Sequence, residues 1–573
     1  MSDLIIKNGL VYDPLNKIEG EKKDIFIKNG HVVDKVNGDA KIIDASGLVV
    51  MPGGVDIHSH IAGAKVNVGR AMRPEDKVPE ANMKRTKLTR SGTGFSVLSS
   101  WKTGYLYAKM GYTTVAEPAM PLLEARHTHE EFNNIPIIDK LAMPILGNNW
   151  YVLEYVRNKD YEKLAAYVNW VMKVTKGYAI KIVNPGGVEN WAWGKNCENI
   201  DTPVVHWDVT PRQIIEGLSR ANEILQLPHS IHVHCNNLGH PGNFEHSIET
   251  FKITENIEPK GREKRNLHVT HAQFNAYGGS NWGNFESGAP QIAEYVNSHG
   301  HMTIDCGQVV FTKYATTTMT GDGPWEFALH HLSGVSPWGA KPGVKWVNGQ
   351  IEGESGSGIV PYFFDSKNGV NAVQWAIGLE LMLLVKDPWQ ISFTTDHPNG
   401  APFTTYPIGF KWLMNKKSRD EMLTNVVSKK ATSASTLSDI DREYSLYDLC
   451  VVTRAGTAKN LGLKDRGHLG VGAIGDVSIY NLNPEKMEGK DIEKAFSSAA
   501  YTIKEGKIVV KDGEIMAAPM GTLLQAEGKI KESIYEAMLE DIKLRWRDHY
   551  SINFNNYAVQ DVYAPKSKII SGV

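Results

Sequence analysis

The densest chemical signal in the sequence is Gly53-Gly54-Val55-Asp56-Ile57-His58-Ser59-His60. A strand alternates its side chains between two faces, so His58 and His60, two apart, leave the same face and can meet one metal ion. Asp56 shares that face. A second signal is Lys181, set inside the apolar run Ala179-Ile180-Lys181-Ile182-Val183. An unpaired ammonium there costs several kcal/mol, and burial lowers its pKa toward the neutral amine. A neutral amine adds carbon dioxide to give a carbamate and a proton, and the two carbamate oxygens can bridge two divalent cations.

Further ligand candidates end two other strands, Ile231-His232-Val233-His234 and Leu267-His268-Val269-Thr270-His271. In the first, both histidines share a face, so spacing alone does not choose between them. Position favours His234 and His271, which lie nearer the C-terminal ends of their strands. The last candidate is Asp396, at the end of Ile391-Ser392-Phe393-Thr394-Thr395-Asp396 and just before the break at Pro398 and Gly400. Such a carboxylate can bind a metal and also accept a proton from an attacking water, which makes Asp396 the expected general base and acid.

Residues 52–440 must position this set. Short apolar runs, such as Thr113–Ala116, Ser230–His234, His301–Asp305 and Gln390–Thr394, alternate there with amphipathic stretches such as Pro211–Leu218. Repeated strand–helix alternation implies a parallel sheet, and at this length an α/β fold with a (β/α)8 TIM-like barrel, its site at the strands' C-terminal ends. Residues 1–51 and 441–524 read as short strands with turns, so both chain ends are expected to build one small β-sandwich domain. Asn8-Gly9 and Asn29-Gly30 are hairpin signals, because type I′ turns need positive φ at both central residues. Residues 525–573 read as a helical, then irregular, extension, with a helix from Lys529 to Arg547.

Bulk properties mainly exclude. The chain has 573 residues, 42% hydrophobic and 22% charged, with a formal net charge of −2, so nothing draws it globally to nucleic acid. The four cysteines, Cys197, Cys235, Cys306 and Cys450, form no CxxC pair, which argues against a disulfide framework or an iron–sulfur cluster held by this chain. With no secretory signal and no apolar run near the roughly 18 residues of a membrane span, a cytoplasmic location is expected.

Taken in order, His-x-His, Lys, His, His and Asp resemble the amidohydrolase superfamily, specifically the binuclear subgroup that includes hydantoinases and dihydroorotases. Arg466-Gly467-His468-Leu469-Gly470-Val471-Gly472-Ala473-Ile474-Gly475-Asp476-Val477 resembles that family's return into its small β domain. The resemblance implies two divalent metal ions, zinc in the family although manganese, iron or cobalt suit the same ligands. It implies His58 and His60 on one metal, carboxylated Lys181 bridging, His234 and His271 on the second, and Asp396 completing the first.

Within the superfamily, Ile61-Ala62-Gly63-Ala64-Lys65-Val66-Asn67-Val68-Gly69-Arg70 onward and Thr395-Asp396-His397-Pro398-Asn399-Gly400 resemble the A-subunit family of formylmethanofuran dehydrogenases. The implied reaction condenses formate with the amine of methanofuran, an amidohydrolase reaction run in reverse, in methanogenesis from carbon dioxide. The implied partners are a molybdenum or tungsten subunit that forms formate and iron–sulfur subunits. Methanofuran carries several carboxylates, so the basic stretch 65–103, with Arg70, Arg73, Arg85 and Arg90, is a candidate docking strip. Trp191 and Trp193 could cover the substrate's aromatic parts. The competing readings are a cyclic-amide hydrolase of the hydantoinase type and a non-catalytic scaffold subunit.

Overall fold

The computed structural model describes residues 3–36, 38–72, 83–90, 96–313, 315–332, 347–349 and 357–572. Eight parallel strands form the centre: β1 (Gly54–Asp56), β2 (Tyr112–Met120), β3 (Asp139–Pro144), β4 (Lys181–Val183), β5 (Ile231–His234), β6 (Leu267–Val269), β7 (Met302–Asp305) and β8 (Ile391–Ser392). They lie in two parallel sheets, β1–β3 and β4–β8. Two parallel bridges close them on each other, Ile145 with Lys181 between β3 and β4, and Ser59 with His397 between β8 and β1. Backbone hydrogen bonds of 2.8 Å, from Leu146 N to Lys181 O and from His60 N to His397 O, fasten both seams. The expected (β/α)8 barrel is therefore present, and its two seams carry metal-ligand candidates.

Burial on both faces explains the sequence texture. All nine residues of β2 are buried, and strands with no solvent face need no polar alternation. Helices between strands start where capping chemistry dictates. Pro211–Leu225 opens on a Thr210/Gln213 capping box with proline in the first turn, and stops at Gln226 in the left-handed conformation. β3 escaped the sequence reading, because its opening Asp139-Lys140 interrupts the apolar pattern. A hairpin of Thr316–Thr320 with Ser357–Tyr362 is inserted between β7 and β8.

Both chain ends meet in one nine-stranded sheet. The join is antiparallel, Val49–Pro52 against Val477–Tyr480. This sheet wraps a core of its own, in which Ile6, Ile27, Ile43, Val50, Val477 and Ile503 pack together. It curls far enough that the Gly30 turn meets the Glu505-Gly506 turn, so the expected sandwich is one continuous curled sheet. Asn29-Gly30 forms the expected hairpin with φ of 50° and 81°. Asn8-Gly9 does not: the strand runs unbroken from Leu4 to Asp13, with a register shift between Ile6 and Gly9. The positive φ of Asn8 serves that bulge, and glycine follows because a Cβ at position 9 would lie 2.4 Å from Val50 Cγ2.

The C-terminal region is more regular than its sequence suggested. Leu523–Glu527 pairs in parallel with the start of β3, and Ser567–Ser571 pairs with it in turn. The helix between them runs Glu532–His549 and buries Met538, Ile542 and Trp546. No helix among the described residues is long and apolar enough to cross a membrane.

Candidate metal centre

Every predicted metal ligand is buried; His58, His60, His234, His271 and Asp396 lie at or beyond the C-terminal ends of their strands, and Lys181 opens β4. His58 Nε2 lies 2.9 Å from Asp396 Oδ1 and His60 Nε2 lies 3.3 Å from the same oxygen. These three residues offer ligand atoms all within 4.8 Å of one another. His271 packs between the two halves of the set, its ring centroid 4.7 Å from that of His234 and 5.3 Å from that of His58. Lys181 Nζ and His271 Nδ1 are buried with no hydrogen-bond partner, and His58 Nε2 and Asp396 Oδ1 face each other at 2.9 Å without hydrogen-bond geometry and have no hydrogen-bond partner elsewhere. Buried polar atoms are almost always bonded, so four orphans within one ligand set mark a place for something polar that binds them all. Their chemistry, imidazole nitrogens, a carboxylate and an amine able to become a carbamate, fits divalent cations.

Electrostatics prepares the ligands. Burial pushes the pKa values of His58 and His271 well below the ordinary histidine value and lowers that of His234, so these imidazoles are neutral, the form that binds metal. Burial also brings Lys181 down to about 7. His60 differs. Burial opposes its charge, but the carboxylates of Asp396 and Glu117 outweigh that and raise its pKa.

Residues absent from the sequence reading orient the ligands. Glu117, inside β2, lies 3.0 Å from His60 Nδ1 through Oε1, while its Oε2 accepts the backbone N–H groups of Ile61 and Ala62. Asp322, beside the inserted hairpin, lies 2.8 Å from His234 Nε2, which leaves Nδ1 of that ring to meet a metal. Asp305, at the end of β7, accepts the His271 backbone N–H and lies 3.0 Å from His268 Nε2. Asn399 donates to Asp396 Oδ2 at 2.9 Å. Glu117 was detectable by the argument applied to Lys181, a charge inside an apolar run; Asp322 sits in a long insertion that no local pattern ties to His234.

His232 and His234 occupy different surroundings, although His232 also lies within ligand distance of His58 and Asp305. His232 Nε2 lies 2.9 Å from His58 Nδ1 on the inner side of the barrel, and His232 Nδ1 lies 3.1 Å from His229 Nε2. His229 Nδ1 then lies 2.6 Å from the Asn460 carbonyl. His232 thus backs the site and His234 faces it. Asp56 is likewise beneath the ligands, accepting from Tyr107 and Tyr406, with burial lifting its pKa to about 7.

Comparison with known proteins identifies the family. The Amidohydrolase family profile matches residues 41–510. The chain belongs to the amidohydrolase family. It is 53% identical over 99% of its length to Protein FwdA of Methanocaldococcus jannaschii, covering 98% of that protein. It is 34% identical to the A component of the Fhc formyltransferase/hydrolase complex of Methylorubrum extorquens, covering 98% of this chain and 97% of the relative. The crystal structure of that organism's formyltransferase/hydrolase complex, FhcABCD, with methylofuran superposes at a TM-score of 0.88, with 32% identity and full coverage of both chains.

The basic stretch after β1 divides. Arg70 is used internally: it donates to Glu131 and to the carbonyl of Leu98, each at 2.6 Å, and clamps the loop that follows His60. Arg73 lies outside the described residues. Arg85 is exposed, and Arg90 lies over the Trp101 ring, 4.2 Å from its centroid. Trp191 ends a short helix, Gly187–Trp191, and Trp193 is exposed against His206.

Proposed function

We propose that this amidohydrolase is the A-type component of a formylmethanofuran dehydrogenase, condensing formate with methanofuran and hydrolysing N-formylmethanofuran in reverse. The observation that carries the reading is the end-to-end likeness to the chain of the Fhc complex, which was solved with methylofuran. The ligand set supports it: His58, His60 and Asp396 would hold one metal, His234 and His271 the second, and carboxylated Lys181 would lie between, with zinc the ion the resemblance implies. Two such ions, when bound, would supply Lewis acidity for the formyl oxygen and for the reacting water.

The chain's own residues handle the proton. Formate and a protonated amine combine to formamide and water, so two protons must leave nitrogen and reach the departing oxygen. Asp396 can carry them one after the other because its oxygens are placed separately: Oδ1 converges with the two histidines, while Oδ2 takes one N–H from Asn399 and keeps a lone pair. Stabilising one transition state serves both directions equally. Glu117 and Asp322 fix the rings of His60 and His234.

The partners in this reading are formate-forming molybdenum or tungsten and iron–sulfur subunits. Incubating the isolated chain with N-formylmethanofuran and with dihydrouracil, while assaying metal, tests it. Formate release with about two metals per chain is expected. Ring opening without formate release would make the chain a cyclic-amide hydrolase, and neither metal nor turnover would leave a scaffold. Arg85 and Arg90 are proposed to receive methanofuran carboxylates, so Arg85→Glu with Arg90→Glu should raise KM for methanofuran about 10-fold at unchanged metal content. An unchanged KM removes the docking strip and leaves the reaction assignment standing.

A further inference from the structure

A cavity of about 370 Å³ opens at the other end of the barrel from the metal ligands. Its walls come from residues that lead into strands rather than out of them: Pro228 and Ser230 precede β5, Arg262 and Arg265 precede β6, and Thr303 lies at the start of β7. None of the residues assigned to the metals or to Asp396's proton transfer lines it, so it is a separate site.

Its charge is one-sided. Arg262, Arg265, Lys459 and Lys464 contribute four cations to the lining against one carboxylate, Glu263. Glu263 is taken by Lys459 at 2.6 Å, and Arg262 is taken by Glu223 from behind the wall. Arg265 donates only to neutral oxygens, the Trp389 carbonyl at 3.0 Å and Asn460 Oδ1, with Asp387 and Glu263 acting on it only at longer range, so neither it nor the exposed Lys464 enters an ion pair among the described residues.

Asn460 adds a second, independent mark. It is only 8% exposed and lines the cavity, and Arg265 fixes its amide by holding Oδ1. Its Nδ2 has no hydrogen-bond partner. A buried amide N–H2 left unbonded beside two cations outside any described ion pair is an arrangement that an anion completes. Leu15, Pro228 and Leu463 form an apolar part of the same wall, and the volume falls within the range of small-molecule sites, well above what a bare phosphate needs.

We propose that this cavity binds an organic anion, a carboxylate or phosphate group on an apolar body. Arg265, Lys464 and Asn460 Nδ2 receive the anionic head, and the Leu15, Pro228 and Leu463 wall covers the body. The site is closed in by loops of three barrel strands, by the Leu15-Asn16 turn and by Ser571, a concave enclosure suited to a small molecule rather than an extended chain.

Titration calorimetry of the full chain at low salt tests this with phenyl phosphate as probe, against inorganic phosphate and phenol. Phenyl phosphate should bind one per chain, at least about 10-fold tighter than either control. Arg265→Gln and Lys464→Gln should each weaken it about 5-fold or more at unchanged metal content. Lys464 is exposed, so its variant folds and decides the matter should Arg265→Gln not fold. Binding should persist in Asp396→Asn. Equal affinity in Lys464→Gln, equal binding of phenol, or loss in Asp396→Asn would each overturn the proposal. So would binding by the isolated chain that vanishes in the assembled multisubunit complex, since the cavity would then seat an acidic group of a partner.

Discussion

Burial sets the charge state of the site before any metal arrives. Lys181 is brought to about 7 by desolvation, so its amine is about half neutral at pH 7 and about one-tenth neutral at pH 6. Because only the neutral amine adds carbon dioxide, carboxylation of the metal-free chain should quicken about 5-fold from pH 6 to pH 7 and level off above about pH 8. Following labelled carbon dioxide onto the protein across that range, with dissolved CO2 held constant, checks the sign; a rate that falls with rising pH, or is flat, would show Lys181 to be paired and unreactive. The same residue shows what a sequence exposes most readily. A lysine inside Ala179–Val183 and histidines two apart before the Ser59 seam are chemically odd where they stand, and that oddness is local. Which ring faces the metals is not local. His232 and His234 share a strand face, and only the third dimension, with His229 and His58 lining up on His232, separates them.

At the scale of elements, the site is made by strand ends bent out of extended conformation. Asn184, His271 and Asp396, each just beyond its strand, have φ of 37°, 36° and 52°, a region that costs a non-glycine residue about 1–2 kcal/mol. Such strain is stored where side chains must converge, and the surrounding hydrogen bonds hold it in place. Glu117 is the clearest of these supports, since one carboxylate fixes His60 and two backbone N–H groups of the following loop. Glu117→Gln should therefore weaken metal binding about 10- to 100-fold. Metal retention against graded chelator would measure this, and a variant that keeps its metal as the wild type does would reduce Glu117 to a loop brace. The elements themselves were legible where one rule governed them: seven of the eight barrel strands read as apolar runs, and Asn29-Gly30 read as a turn. Reading failed where a second constraint intervened. Asp139-Lys140 breaks the apolar pattern of β3 because Asp139 is paired from the other domain while Lys140 donates to the carbonyls of Phe132 and Ile135, and Asn8-Gly9 bends a strand instead of ending it because Val50 presses against Gly9.

That exchange of charge across the molecule is what joins barrel to sheet. Asp139, at the start of β3, accepts from Arg466 at 2.7 and 3.0 Å and from Lys504 at 2.8 Å, and Lys504 also donates to Asp476 at 2.7 Å. Its other oxygen takes the backbone N–H of Thr522 just before the C-terminal strand, so one carboxylate ties the barrel, the curled sheet and the C-terminal extension. All four charged side chains are buried. Desolvation alone would raise the pKa of Asp139, but Lys504 and Arg466 overcome it and hold it well below the usual carboxylate range. A depressed carboxylate contributes stability that is present above its unfolded pKa and is lost as pH falls through the folded one. Asp139→Asn keeps the shape and removes the charge, leaving Lys504 and Arg466 short of a partner, so it should cost about 3–5 kcal/mol. The gap from wild type should hold constant from pH 8 to pH 5 and narrow only below about pH 4, where the wild-type carboxylate begins to lose its advantage over the unfolded chain. Urea unfolding of both proteins across that range measures it. A gap that already closes between pH 7 and pH 6 would assign the linkage to a histidine rather than to Asp139, and the barrel and sheet would then be held together chiefly by the Val49–Pro52 and Val477–Tyr480 pairing.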